Sequence, residues 1–593
     1  MLSSTTYKNN QLIRKTVMKM YPSGFIATLT GGIALTISSM LAGFLLGKDA
    51  IAAVAIGTPV IGIFQALTQM VISGVAVKLA VYAGRSDHRA MNRIFSLGIV
   101  GTAFLGALFV AVCQLCATAL ANAFGASGNA EMARQSALFL RANSICIIMG
   151  SFNIYFTKIL TLYGYHSYVF RSAMTGMIGN VIFSALYVNL LPDELALVGL
   201  GAGMWSGGFF AAVLGCLAIK KKKIPLKFKL EDVDIKAFPE IVRLGIPTSG
   251  NNLADGVVSG VINNIIVSGF GGDYTALAVY TAVDGVFTFG IVAAIGAAAS
   301  AAPLMGILYG ARDKSGIMKT VSESFKIGLA ASIVWCGLLV ALRPILAGFY
   351  GMEGNTNFSS GVLFCMMFIP LHLVIRIFIQ LFESTEKITM GLLYSIVPDS
   401  VIFPLMLAAL LPTMKYTGLW LSFVANPIPF LIILFIVRSV KNKSFKPSWD
   451  RVLCLEESVK DNVPMMDISI KSDNTDVTGI SEKVHSFLTE QNASPRTAYM
   501  TSLCLEELAA DFVAHTPEKV KSDRVIMDIK LFSDKDSFKV LIRNSAPAYN
   551  PLDFELDDKT FSKIGVKLAQ KVAKRIEYNY VYKINIVTIT VEK

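Results

Sequence analysis

Twelve stretches of about 20 mostly apolar residues succeed one another along the chain, the length at which a helix crosses a bilayer. They start near Gly24, Ala50, Ser96, Ser136, Ser172, Val198, Pro247, Ala276, Lys326, Gly361, Met390 and Gly418, with Gly, Pro and charge clusters between them. In lipid every backbone polar group must be bonded internally, which a helix achieves within one run. The pattern predicts an all-α membrane bundle of twelve spanning helices. An even number puts both ends of the bundle on one side.

Charge identifies that side. Only 16% of the 593 residues are charged, against about 25% in soluble domains. The excess of base lies in the apolar part: 33 Lys and Arg against 18 Asp and Glu over residues 1–449, and 20 against 23 over 450–593. One set of loops holds Arg14, Lys15 and Lys19, then Arg85, Arg89 and Arg93, Arg171, Lys220 to Lys223, Arg312, Lys314 and Lys319, Lys387, and Arg438, Lys441 and Lys443. The alternate loops hold little beyond Lys48, Arg134 and Lys415. Basic loops stay in the cytoplasm, so both termini are expected there, with the chain in the cytoplasmic membrane of a bacterium. The base belongs to these loops and argues against a nucleic-acid partner. No cleavable signal pattern is expected, since the first apolar run is too long and lacks a following small-residue site. Cys113 and Cys116 form a CxxC inside an apolar run with no second pair, which reads as packing thiols. The five His show no metal-ligand spacing.

The two halves of the apolar part echo each other. "GKDAIAAVAI" at 47–56 pairs with "GGDYTALAVY" at 271–280, and "YAGRSDHRAMNRI" at 82–94 with "YGARDKSGIMKTV" at 309–321. The offsets are 224 residues from Asp49 to Asp273 and 227 from Tyr82 to Tyr309. Such pseudo-symmetric halves mark secondary transporters, with the substrate path between them. We divide the chain into an N-terminal segment (1–21), a first six-helix lobe (22–219), a basic linker (220–240), a second lobe (241–440), a juxtamembrane linker (441–460) and a tail domain (461–593).

In the tail the periodicity changes. "MMDISIKS" alternates as a strand, 478–491 has helical spacing, and "SPRTAYMTSLCLEELAADFVAH" opens with Ser-Pro, a helix start. "RVIMDIKLFS" and "SFKVLIRNS" predict a hairpin about Asp534 to Asp536. A helix over 560–576 and strands "EYNYVYK" and "INIVTITVEK" follow. The order predicts an α+β sandwich, an antiparallel sheet with helices on one face. Glu507, Asp511 and His515 fall four apart on one helix.

Residues 20–440 resemble the MATE (multidrug and toxic compound extrusion) transporters. The stretches that carry the likeness are "LLGKDAIAAVAIGTPV", "YAGRSDHRAMNRIF", "GNVIF" with "LVGLGAG", "LGIP" and "YGARDKSG", in that order. The resemblance implies two rocking lobes and antiport of organic cations or amphiphiles against Na⁺ or H⁺, with no cofactor for transport. It also implies an acid in the first span, where this chain has Ser38, and an Asp four residues after Asn180, where it has Ser184. A third family position, ten residues after the Gly of "GxP", falls on Asp255, counted from Gly245.

The tail resembles the anti-sigma-factor kinase branch of the GHKL ATPases. That implies Glu507 as general base and Asp511, where the family has Asn, as the Mg²⁺ ligand. It also implies Asn544 in place of the adenine-reading Asp, Ala546 in place of the motif's Gly, and Gly565 alone at the phosphates. The motifs are eroded. A nucleotide-binding regulator or protein kinase acting on a Ser of a partner stays open beside a pseudo-ATPase that only binds a partner protein or the transporter, and catalysis is not expected.

A charge at bilayer depth is costly and is a functional candidate by default. Within the spans stand the carboxylates Asp255, Asp284 and Asp399, with Arg141, Lys158, His372 and Arg376. We expect Asp255 with Asp284, Asp399 and Asn180 to form the cation or proton sites, with Asn251, Asn252, Asn263 and Asn264 as neutral oxygens. The competing expectation is that each Asp pairs with an intramembrane Arg or caps a broken helix. The expected activity is export of small organic, cationic compounds. Flipping of a lipid-linked or amphiphilic substrate is one alternative. The other is a membrane sensor whose tail holds a sigma or anti-sigma partner.

Overall fold

The computed structural model describes residues 11–46, 48–123, 130–192, 195–271, 274–350, 352–441, 465–471, 479–515, 526–534, 536–552 and 573–593. The first half is six long helices: α1 (Gln11–Leu46), α2 (Lys48–Gly84), α3 (His88–Ala121), α4 (Ala130–Leu162), α5 (His166–Leu190) and α6 (Ala196–Lys221). The linker follows as two short 3₁₀ turns. It lies along α3, where the Lys227 amide donates to Asn92 Oδ1 (2.9 Å) and the Lys229 amide to Ser96 Oγ (3.1 Å).

The second half comprises α7 (Phe238–Gly269), α8 (Tyr274–Gly290), α9 (Val292–Gly310), α10 (Lys314–Ala341), α11 (Arg343–Phe349), α12 (Thr356–Ser384), α13 (Ile388–Ile396), a π-helical segment (Val397–Ile402), α14 (Phe403–Ala425) and α15 (Pro427–Lys441). Among the described residues nine helices are long and apolar enough to cross a membrane. Large apolar side chains such as Leu115, Ile182, Val334 and Leu405 stand exposed on them, a surface that needs lipid rather than water around it.

α14 is two arms. Lys415 has φ 49°, and a Cβ on Gly418 would lie 2.5 Å from the Leu410 carbonyl oxygen. Those residues would be about 12 Å apart along a continuous helix, so the chain folds back at Lys415.

The sequence repeat is a repeat of turns. After α2, Ser86 takes φ 55° and Asp87 caps α3 by accepting from the Ala90 amide at 3.1 Å. After α9, Arg312 takes φ 60° and Asp313 caps α10 by accepting from the Gly316 amide at 2.8 Å. The turns after α4 and α12 also pass through a left-handed residue, Gly164 (φ 74°) and Glu386 (φ 59°).

The tail is a five-stranded antiparallel sheet. Its strands are β1 (Met465–Lys471), β2 (Ile526–Ser533), β3 (Ser537–Asn544), β4 (Arg575–Val581) and β5 (Ile584–Glu592), in the order β1-β2-β3-β5-β4. Helices α16 (Ile480–Glu490) and α17 (Pro495–Ala514) cover one face. Ser494 caps α17 through the Thr497 amide (3.1 Å), with Pro495 in the first turn. The helix expected over 560–576 falls mostly outside the described residues. Its last two positions, Arg575 and Ile576, instead open strand β4, where they pair with Thr590 and Ile589.

Candidate functional site

The two halves meet along α1 and α2 on one side and α7 and α9 on the other. Glycine lets them touch backbone to backbone. A Cβ on Gly74 or Gly245 would clash with the Ile241 or Met70 carbonyl, and one on Gly84 or Gly310 with the Ile307 or Val81 carbonyl. Small residues of this kind are how helices approach closely in lipid. These contacts lie toward the end bearing the turns at 86, 164, 312 and 386, the basic end of the bundle.

Beside them lies a cavity of about 260 Å³. Its walls come from both halves: Ser23, Thr28, Ser73, Lys158, Thr161 and Leu162 from the first, and Ser300, Pro303, Gln380, Glu383 and Ser384 from the second. Glu383 is buried and accepts from Gln380 Nε2 at 3.4 Å, while Lys158 is exposed. A half-to-half ion pair closes the basic end. Lys78 Nζ on α2 lies 2.9 Å from Glu240 Oε1 on α7 and 3.0 Å from Glu386 Oε1. Arg14 on α1 faces Glu323 on α10 at 3.7 Å. Neither Lys78 nor Glu383 stood out in the sequence. The available signal was a charge set inside or closing an apolar run, Lys78 in "VAVKLAVYAG" and Glu383 in "FIQLFESTEK".

The expected intramembrane groups are placed as follows. Asp399 sits on the π-helical segment, a winding often found at functional sites. It accepts from Asn426 Nδ2 (3.2 Å) and faces Arg376 Nη2 (3.8 Å). His372 is buried nearby, its ring edge-on to Phe287 at 5.2 Å. Asp284 is half-buried on α8, one turn before Phe287, so it shares the α8 face that meets α12. Asn180 Oδ1 accepts from Ser184 Oγ at 3.0 Å. The hydroxyl that stands where the family has a carboxylate is therefore bonded to the neighbouring Asn. Asn263, Asn264 and Arg141 are exposed. The side chains of Ser38, Asn251, Asn252 and Asp255 lie outside the described residues. Cys113 is buried and unbridged, and Cys116 is exposed.

In the tail, Glu507 is exposed on α17, whereas Asp511 is turned inward. Both Asp511 oxygens are engaged, Oδ2 by the Tyr549 hydroxyl (2.8 Å) and Oδ1 by His515 Nδ1 (3.1 Å). The Tyr549 ring stacks on His515 at 4.2 Å, 12° from parallel. Burial and then the Asp511 carboxylate push the Tyr549 hydroxyl well above its usual range, keeping it a donor. Asn544 Oδ1 accepts from the Ala546 amide (3.1 Å) and Asn585 Nδ2 (2.8 Å). Asn585 Oδ1 in turn accepts from Tyr578 OH and the Tyr549 amide. As placed, the oxygens of Asp511 and Asn544 face donors of the tail itself, Tyr549, His515, Asn585 and the Ala546 amide. Gly565 lies outside the described residues.

A family model described as MatE matches residues 22–186 and 256–405, together just over half of the chain. Solved structures share the fold. A MATE crystallised in complex with MaL6 aligns with TM-score 0.66 at 17% identity, over 74% of this chain and 99% of that one. An outward-facing multidrug resistance MATE transporter of the MOP superfamily aligns with TM-score 0.66 at 17% identity, over 74% and 98%. A MOP-superfamily transporter from Pyrococcus furiosus, described by the reverse polarity of its binding pocket, aligns with TM-score 0.64 at 17%, over 74% and 99%. No curated protein was found to be similar to the chain.

Proposed function

The chain belongs to the MatE family, and on that premise we propose that it is an antiporter coupled to Na⁺ or H⁺ that exports small organic cations across a bacterial cytoplasmic membrane. The observation that carries this reading is the cavity walled by both halves and closed at the basic end by Lys78, Glu240 and Glu386. That is one end state of a two-lobe machine in which the halves rock about a fixed site. The basic end is then the cytoplasmic one, in keeping with its loop charge. Twelve spans in two lobes of six follow when α1 and α7 are counted with the nine apolar helices and the segment folded at Lys415 is counted as two.

Glu383 supplies a buried carboxylate for a cationic substrate. The cavity size lies near the lower end of small-molecule sites, roughly 300–1,000 Å³, which favours a compact organic cation over a lipid-linked substrate. Asp255 and Asp284 are the coupling carboxylates. Asp399 instead holds Arg376 and Asn426 in place. Exchange of tetraphenylphosphonium for Na⁺ or H⁺ by purified protein in liposomes tests the reading. Asp255→Asn or Asp284→Asn should abolish it with the chain still inserted, and exchange unaffected by either change would remove the coupling assignment.

The tail, by this reading, is a GHKL-like domain that has lost nucleotide chemistry. The Tyr549–Asp511–His515 contacts support that loss. Titration of the full chain with ATP and Mg²⁺ should show no saturable binding at physiological concentrations, and saturation would overturn it.

A further inference from the structure

The tail sheet has two buried faces. On β3 and β5 alternate residues diverge, as strands require. Val540, Ile542, Val587, Ile589 and Val591 pack beneath α16 and α17. Leu541, Ile584 and Ile586, with Val581 and Tyr582 at the hairpin tip, join the hydrophobic cluster of the membrane bundle. The tail thus has a core of its own and a second face that, among the described residues, packs on the transporter.

The tip is built to reach. Tyr582 and Lys583 both take left-handed φ, 55° and 56°, where a two-residue hairpin normally places Asn or Gly. Side chains held there against their preference point to a role beyond turning the chain. The Tyr582 amide donates to the Leu162 carbonyl of the first half at 2.7 Å. Its hydroxyl, fully buried, donates to the Ser300 carbonyl of the second half. Leu162 and Ser300 both line the cavity, so one residue bridges its two walls at the cytoplasmic end.

Further contacts flank the tip. Asn579 Nδ2 donates to the Ala83 carbonyl (3.0 Å), and His88 Nε2 bonds the Tyr578 carbonyl (3.1 Å), both on the first half. On the second half, Asp313 receives Lys530 Nζ at 2.8 Å and Arg543 Nη1 at 2.7 Å, and Lys530 also donates to Ser315 Oγ at 2.7 Å. Asp87, the repeat counterpart of Asp313, caps its helix in the same way but has no ion pair among the described residues. The tail hydrogen-bonds the turn of the first copy and, of the two capping Asp residues, ion-pairs only that of the second among the described residues.

We propose that the C-terminal domain is a built-in clamp. The β4–β5 hairpin plugs the cytoplasmic mouth of the cavity and ties the two halves together, and the cavity opens to the cytoplasm only when the hairpin withdraws. Opening must part Leu162 from Ser300, and a tyrosine bonded to both cannot follow. The inference rests on the transport reading for its consequence, but the clamp has a readout of its own.

Thr161→Cys, in a chain freed of its eight native cysteines, reports cavity access. Inverted membrane vesicles expose its cytoplasmic side to an impermeant maleimide. Tyr582→Ala and Tyr582→Gly should each raise the labelling rate at least tenfold. The glycine variant suits the turn, and Tyr582 lies outside the tail's own core, so neither change should unfold the domain. Unchanged labelling in both variants, with an unaltered gel-filtration profile, would overturn the clamp. Tetraphenylphosphonium exchange by the same variants separates the two ideas. Faster labelling without any exchange keeps the clamp and sinks the transport reading, whereas normal exchange with unchanged labelling does the reverse.

Discussion

Asp313→Asn tests the docking of the tail at its most charged point. The asparagine still caps α10, so the change removes charge and little else. In the native arrangement Asp313 faces two cations that are themselves almost wholly buried, Lys530 at 2.8 Å and Arg543 at 2.7 Å. Burial alone would raise the Asp313 carboxyl, but Lys530 and Arg543 hold it well below its ordinary 3.8. Breaking a buried pair by removing one member costs about 3–5 kcal/mol. Lys530 keeps Asp467 at 2.9 Å, whereas Arg543 is left with Asp528 at 3.8 Å. Burial pushes the Asp528 carboxyl up despite Arg543, so it is a poor replacement. With one cation compensated, the cost should fall near the lower end, about 3 kcal/mol, or roughly 100-fold in the docking equilibrium. Hydrogen exchange of the full chain in nanodiscs reads this at the tip, where the Tyr582 amide is bonded to Leu162. The segment 578–584 should exchange far faster in the variant. Exchange within about threefold of the parent, a cost under about 0.7 kcal/mol, would refute the reasoning. The depressed carboxyl also fixes a sign. Its contribution is present above the ordinary 3.8 and is lost as pH falls through the lower docked value, so the parent should hold its tail down to about pH 4 and release it below.

Burial, then Lys19 and Lys222, push the docked Lys583 ammonium below its ordinary 10.5. Docking therefore releases a proton and strengthens as pH rises through the docked value toward 10.5; Lys583→Met should exchange more slowly at neutral pH and lose that alkaline gain, and identical profiles would count against the contact. Gly310→Val puts a branched side chain against the Val81 carbonyl, an overpacking worth about 1–3 kcal/mol. Added to the Thr161→Cys chain that also carries Tyr582→Ala, it should part the halves at the cytoplasmic end and speed maleimide labelling beyond the rate of Tyr582→Ala alone, while an unchanged rate would argue against a tight seam there.

The repeat was legible because short motifs dictate its turns: Arg-Ser-Asp before α3 and Ala-Arg-Asp before α10 each place one left-handed residue before a capping Asp. The fold at Lys415 was legible as a break before the apolar run at Gly418. The tail's strands were read from their alternation. What escaped were pairings made across the chain. Lys530 and Arg543 stand at alternate positions of ordinary strands, a pattern that usually means a solvated face, and only Asp313, more than 200 residues away, shows otherwise. Lys78 was hidden in the same way, its partners Glu240 and Glu386 belonging to the other half. Glu507, Asp511 and His515 fall four apart in the sequence, but only Asp511 is buried; its cover is Tyr549, 38 residues further along the chain, a contact that helical spacing does not reveal.

Exchange by the Tyr582→Ala protein in liposomes tests the central claim most directly. Tetraphenylphosphonium on one side is set against an imposed Na⁺ or pH gradient, with the parent chain alongside. The account predicts gradient-driven exchange in the variant, several-fold faster than in the parent. No gradient-dependent movement in either protein, from vesicles in which the chain is folded and inserted, would contradict it.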